Sequence, residues 1–111
     1  MKISLGRKEI IYFVGIGGIG MSGLALIMKG LGFNVKGSDQ QSGKNIDRLR
    51  KHKINVQIGH TKKNISKATI LVISSAIKKN NPEFLEAKKK KIPIYKRGDM
   101  LANIVSLYKN V

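Results

Sequence analysis

The sequence predicts an α/β fold: a parallel sheet of about five strands with helices on both faces. Three observations lead there. Short apolar runs alternate with stretches whose apolar residues recur at i, i+3, i+4 and i+7. The first run, Ile10 to Val14, is apolar at every position, as a strand covered on both faces must be. A glycine-rich turn, Gly15 to Gly23, joins it to the first helical stripe. At 111 residues and 41% hydrophobic content the chain can build one core, so residues 1–111 are read as a single domain with no repeat or linker.

Each element has its own signal. After the strand Ile10 to Val14, the residues Leu24, Ile27, Met28 and Leu31 form a helical stripe that Gly32 ends. Phe33 to Gly37 reads as a second strand, and Lys44 to Lys53 as a polar helix that turns Ile46 and Leu49 inward. Ile54, Val56 and Ile58 alternate with polar residues, the pattern of a half-exposed third strand. Ile70 to Ile73, wholly apolar, is a fourth and central strand. Pro82 opens a helix with Glu83 and Glu86 early and Lys88 to Lys91 late, an order that complements the helix dipole and reads as a solvated face. Ile92 and Ile94 give a fifth short strand, and Leu101, Ile104, Val105 and Tyr108 a last stripe. Tyr12, Phe13 and Phe33 fall within strands and belong to the core.

Composition removes several kinds of chemistry. With no cysteine there are no disulfides, thiolate ligands or cysteine nucleophile, and two histidines argue against a zinc site, so no metal is expected. No apolar run approaches the roughly 20 residues that cross a bilayer, and the first residues lack a signal-peptide core. A soluble chain in a reducing cytosol is expected, without a membrane partner. The net charge of +16 admits polyanions, but lysine supplies eighteen of the 22 basic residues, and Tyr12, Phe13 and Phe33 are read as core residues and not as stacking platforms. A solvated basic surface is therefore expected ahead of nucleic-acid binding.

The turn itself carries the function. Gly15-x-Gly17-x-x-Gly20 stands between a strand and a helix, the context of the Rossmann dinucleotide fingerprint. The first glycine allows the tight turn, the second lets backbone approach a diphosphate, and the third lets helix pack on strand. Amides and the positive helix end meet the anion. The only Gly-Lys pair, Gly43-Lys44, is followed by Asn45, so this is not an ATP-cleaving loop. Asp39 lies 19 residues beyond Gly20, where a dinucleotide enzyme keeps the acid that holds a ribose. Spacing alone thus favours an NAD-binding domain of an oxidoreductase or a ligand-sensing module, although Gly37-Ser38-Asp39 is also ordinary turn chemistry.

Five segments in order are more specific than the glycines: YFVGIGGIGMSGLA, then GSD at Gly37 to Asp39, IGH at Ile58 to His60, VISSAI at Val72 to Ile77, and PIYKRGDML at Pro93 to Leu101. Together, from about Glu9 onward, they resemble the N-terminal, Rossmann-like domain of the Mur ligases, on the branch that adds L-alanine. The resemblance implies an ATP- and magnesium-dependent ligase of peptidoglycan precursor synthesis that joins L-alanine to the lactyl carboxylate of UDP-N-acetylmuramate through an acyl phosphate. It implies that this domain holds the UDP end, so that the diphosphate in the loop is that of UDP and not NAD.

Carried over residue by residue, the resemblance assigns Gly15, Gly17, Gly18, Ile19, Gly20, Met21 and Ser22 to the diphosphate loop, with the Gly18 and Ile19 amides as donors. It places Ser38 and Asp39 near the uridine, and His60, Ser74, Ser75, Ala76 and Ile77 around the nucleotide pocket. His60 is equally a capped turn, and Arg97 either guides the sugar-phosphate end or begins the last helix. Ser74-Ser75 lacks a base that would make it a nucleophile, so no catalytic residue is assigned. The family's ATP loop, Gly-Lys-Thr, is not in the sequence. The chain is therefore expected to be part of a longer enzyme, to need no cofactor itself, and to bind without ligating.

Overall fold

The computed structural model describes residues 8–108. Strands β1 (Ile10–Val14), β2 (Asn34–Asp39), β3 (Asn55–Ile58), β4 (Ile70–Ile73) and β5 (Ile94–Lys96) alternate with helices α1 (Met21–Gly30), α2 (Lys44–Lys51), α3 (Pro82–Lys89) and α4 (Arg97–Tyr108). A short 3₁₀ helix, Lys62–Ile65, lies between β3 and β4. All strands run parallel in the order β3-β2-β1-β4-β5. The expected Rossmann-like α/β layout is therefore present.

β1 is central because it can be: Ile11 to Val14 are all buried, and the strand pairs on both edges, with Phe13 opposite Gly37 on one side and Val72 on the other. One sheet face, carrying Ile11, Phe13, Val35, Val56 and Val72, is covered by α1, α2 and α4 through Leu24, Met28, Ile46, Leu49, Met100 and Ile104. The other, carrying Tyr12, Val14 and Leu71, is covered by α3 and the 3₁₀ helix through Ala87 and Ile65. The chain leaves β1 toward β2 on one side and later returns to β4 on the other, which opens a crevice above the carboxyl ends of these strands.

Several expectations shift. β2 begins at Asn34 and runs on to Asp39, so Phe33 is buried just ahead of it. β5 begins at Ile94, because Lys91 takes a left-handed φ of 60° and Ile92 closes α3 by donating to the Ala87 carbonyl. On α1 the buried stripe is Met21, Leu24, Ala25 and Met28, which leaves Ile27 half exposed. The helix starts directly at Met21, and its contact face is set from there. α4 buries only Met100 and Ile104, so Val105 and Tyr108 face outward. Lys88 to Lys91 are exposed, as expected of a solvated helix end.

Glu83 departs furthest. Read from sequence as a dipole partner in solvent, it is fully buried on the face of the sheet. Asn81 brings it there: its Oδ1 accepts from the Glu83 and Phe84 amides at 2.9 and 3.2 Å, and Pro82 starts the first turn.

Candidate functional site

Above the strand ends lies a cleft of about 660 Å³. The turn after β1 contributes Gly15 and Gly18, the end of β2 contributes Asp39, and the segment after β3 contributes His60. The loop after β4 supplies Ser74, Ala76 and Ile77. Sequence reasoning had singled out all seven. The same loop runs on through Lys78, Asn80 and Asn81 to Pro82, and Gln40 completes the rim. Those five were missed, although four of them directly follow the VISSAI segment already in view.

The glycine turn is held before any ligand arrives. Gly15 and Ile16 both donate to the Ser38 carbonyl at 2.9 Å, which anchors the turn to β2. The Gly18 amide closes the turn on the Gly15 carbonyl at 3.1 Å. Gly17 is gripped on both sides: its amide donates to Asp39 Oδ2 and its carbonyl accepts from Asn45 Nδ2, each at 2.8 Å. A Cβ on Gly17 would stand 2.9 Å from that Asp39 oxygen and from Ile46 Cδ1, so a larger residue could enter only by displacing them. Asp39 Oδ1 accepts from the Gln40 amide at 2.8 Å. Its carboxylate is thus engaged by backbone on both oxygens.

Three successive amides at the tip of the turn are left over. Those of Ile19, Gly20 and Met21 donate to no group among the described residues. They form the amino end of α1, where the helix dipole is positive. Gly20 takes φ of 82°, and Arg97 packs across it with Cδ and Nε 3.1 Å from where a Cβ would stand. Arg97 therefore both begins α4 and lays its side chain at the start of α1. The side chains of this segment do other work: Met21 and Ser22 are buried beneath the turn, and Ile19 is 98% exposed.

Beside the cleft sits a buried polar network around Glu83. Ser38 Oγ donates to Oε1 at 2.6 Å and His60 Nδ1 stands 3.0 Å from the same oxygen. Tyr12 Oη and Asn64 Nδ2 donate to Oε2 at 2.9 and 2.7 Å. Ser38 is fully buried, so its side chain faces Glu83 while its carbonyl holds the turn. Burial raises the Tyr12 phenol well above its ordinary value, and the Glu83 charge beside it raises it further. The phenol thus stays a donor. The structure brings together, of the expected site residues, Gly15, Gly18, Asp39, His60, Ser74, Ala76 and Ile77; Gly17, Ile19, Gly20, Met21, Ser22, Ser38, Ser75 and Arg97 are not part of the cleft's lining.

No group of three or more His, Asp or Glu that could hold a metal occurs among the described residues. Nor is any helix among them long and apolar enough to cross a membrane.

Known proteins with the same features are ligases. The chain is 73% identical over its full length to UDP-N-acetylmuramate–L-alanine ligase of Pelagibacter ubique and 54% identical over 95% of its length to the enzyme of the same name from Bartonella bacilliformis. It spans 24% and 22% of the lengths of those two relatives. The crystal structure of UDP-N-acetylmuramate–alanine ligase from Thermotoga maritima superposes with a TM-score of 0.83 at 32% identity, over 86% of this chain and 22% of that one. Residues 10–109 match the model of the Mur ligase family, catalytic domain, and the chain belongs to that family.

Proposed function

We propose that this chain is the domain that holds the UDP end of UDP-N-acetylmuramate in a ligase that adds L-alanine in peptidoglycan precursor synthesis. One observation carries the reading: the amides of Ile19, Gly20 and Met21 are unpaired, with Arg97 laid across the same helix start, and they directly follow Gly18, which lines a cleft ringed by four strand ends. Those donors suit a diphosphate. The cleft beyond them has room for a nucleoside.

The residues present do not fit ATP with magnesium, since the sequence has no Gly-Lys-Ser/Thr loop and the described residues include no carboxylate cluster. We assign ATP, magnesium and L-alanine to the rest of the length that the relatives have and this chain does not cover. The activity so assigned belongs to the cytoplasm, where nucleotide sugars are made. Against the NAD alternative stand the ligases to which this chain is similar, and Asp39, which already accepts backbone amides on both oxygens, holds the glycine turn whichever nucleotide binds.

Calorimetric titration of the 111-residue chain with UDP-N-acetylmuramate and with NADH tests the reading. Saturable binding of the UDP-sugar alone, falling only modestly with salt, is expected. Binding of NADH alone would overturn it, and a steep loss of binding with salt would point to a polyanion surface instead.

A further inference from the structure

The Glu83 carboxylate accepts hydrogen bonds and can donate none while ionised, so every polar atom that touches it must present a proton. Tyr12, Ser38 and Asn64 do so at 2.6 to 2.9 Å. Ser38 has a single hydroxyl proton, directed at Glu83 Oε1, and the same hydroxyl oxygen lies 2.8 Å from His60 Nδ1. There Ser38 can only accept. His60 Nδ1 therefore faces two acceptors, Ser38 Oγ and Glu83 Oε1, the latter at 3.0 Å.

Both contacts require the proton on Nδ1. An unconstrained neutral imidazole prefers its proton on Nε2, so the network reverses the ordinary tautomer. Nε2 has no hydrogen-bond partner among the described residues, and the ring lines the cleft with its side chain 7% exposed. Burial of Glu83 at 0% exposure makes the arrangement rigid, because a buried charge with four donors has no alternative partner to turn to.

We propose that Glu83 is a positioning residue that acts through His60: it holds the Nδ1 proton inward, so that the neutral ring offers a bare Nε2 to the cleft as acceptor for a nucleotide N–H or O–H. The inference deepens the nucleotide reading above and rests on it for the identity of the ligand. It gives a buried acid on α3 a function that its place in a run of helix residues does not suggest.

The tautomer is read directly by two-bond hydrogen–nitrogen correlation on the ¹⁵N-labelled chain above the titration of the ring, with His52→Gln to separate the second histidine. A protonated Nδ1 and a bare Nε2 on His60 are expected; a proton on Nε2 would overturn the proposal without any variant of Glu83 having to fold. UDP titrations supply the second arm. Glu83→Gln should weaken UDP binding about tenfold, the worth of one good hydrogen bond, and change it less than about twofold in a His60→Ala background. Equal losses in both backgrounds would make Glu83 a merely structural acid. If the wild-type chain shows the Nδ1 tautomer yet binds no UDP, the nucleotide reading fails and the Glu83–His60 assignment stands.

Discussion

Asp39 Oδ2 accepts the amide of Gly17 at 2.8 Å, which ties the last residue of β2 to the middle of the glycine turn. The carboxylate thereby does for the turn what a cap does for a helix: it satisfies an amide that would otherwise point into the protein. With Asn45 holding the carbonyl of the same residue, in the next peptide, the turn is set before a ligand enters.

Asp39→Ala is accordingly expected to cost stability as well as affinity. Losing the bonds to the Gly17 and Gln40 amides should lower the unfolding free energy by about 1 to 3 kcal/mol, measurable by urea denaturation. UDP affinity should fall in parallel as the turn loosens. Reduced affinity at unchanged stability would return Asp39 to the role of a ribose ligand.

Neighbouring glycines should separate packing from binding. Gly17→Ala brings a methyl group within 2.9 Å of Asp39 Oδ2 and Ile46 Cδ1, so it should displace the carboxylate and destabilise the fold by about 1 kcal/mol. At Gly18 a Cβ meets nothing closer than the Gly15 carbonyl at 3.4 Å, an ordinary contact. Gly18→Glu should therefore leave the melting temperature nearly unchanged and abolish UDP binding, because it places a negative side chain in the cleft. Wild-type affinity in Gly18→Glu would remove the turn from the site.

Much of this was legible before the fold was known, for a reason that differs between parts. β1 and β4 are apolar throughout, and the periods of two and of about 3.6 residues are local properties of the chain, so the strand-helix alternation could be read directly. The cleft-lining residues His60, Ser74, Ala76 and Ile77 were legible through the family resemblance, and their place agrees with it because they directly follow strands whose carboxyl ends a parallel sheet gathers on one side. Glu83 was not, because its local sequence satisfies a simpler rule: an acid in the first turn of a helix suits the dipole in solvent. Its burial depends on Tyr12, Ser38, His60 and Asn64, which lie 19 to 71 residues away. For the same reason periodicity misjudged Ile27 and Val105, since it gives the stripe and not the angle at which the stripe meets its neighbours.

Tyr12 gives a pH dependence with a definite sign. Its phenol is raised above the ordinary 10.0 in the folded chain, chiefly by burial. The unfolded chain therefore releases this proton first as pH rises. Its contribution to stability is complete below pH 10.0 and declines as pH climbs toward the higher folded value. Tyr12→Phe should cost about 1 kcal/mol at pH 7 through the lost bond to Glu83, and should flatten the alkaline decline by one proton. Urea unfolding at intervals from neutral to strongly alkaline pH checks both. An identical alkaline slope in the two proteins would mean that Tyr12 ionises freely in the folded state.

Asn81 links helix capping to the cleft. Its Oδ1 holds the Glu83 and Phe84 amides, so it stabilises the start of α3 and sets the height at which the Glu83 carboxylate meets His60. Asn81→Ala should lower stability by about 1 to 2 kcal/mol, the ordinary worth of a cap. Asn81→Asp and Asn81→Ser, which keep a side-chain oxygen able to cap the helix, should recover most of it. The informative comparison is in binding. Asn81 also lines the cleft, so a direct ligand contact through its amide nitrogen would be lost in all three variants. If it acts only through the cap, UDP affinity should follow helix stability and return with Asp or Ser. Affinity lost equally in the Ala, Asp and Ser variants would instead place the Asn81 amide nitrogen on the nucleotide.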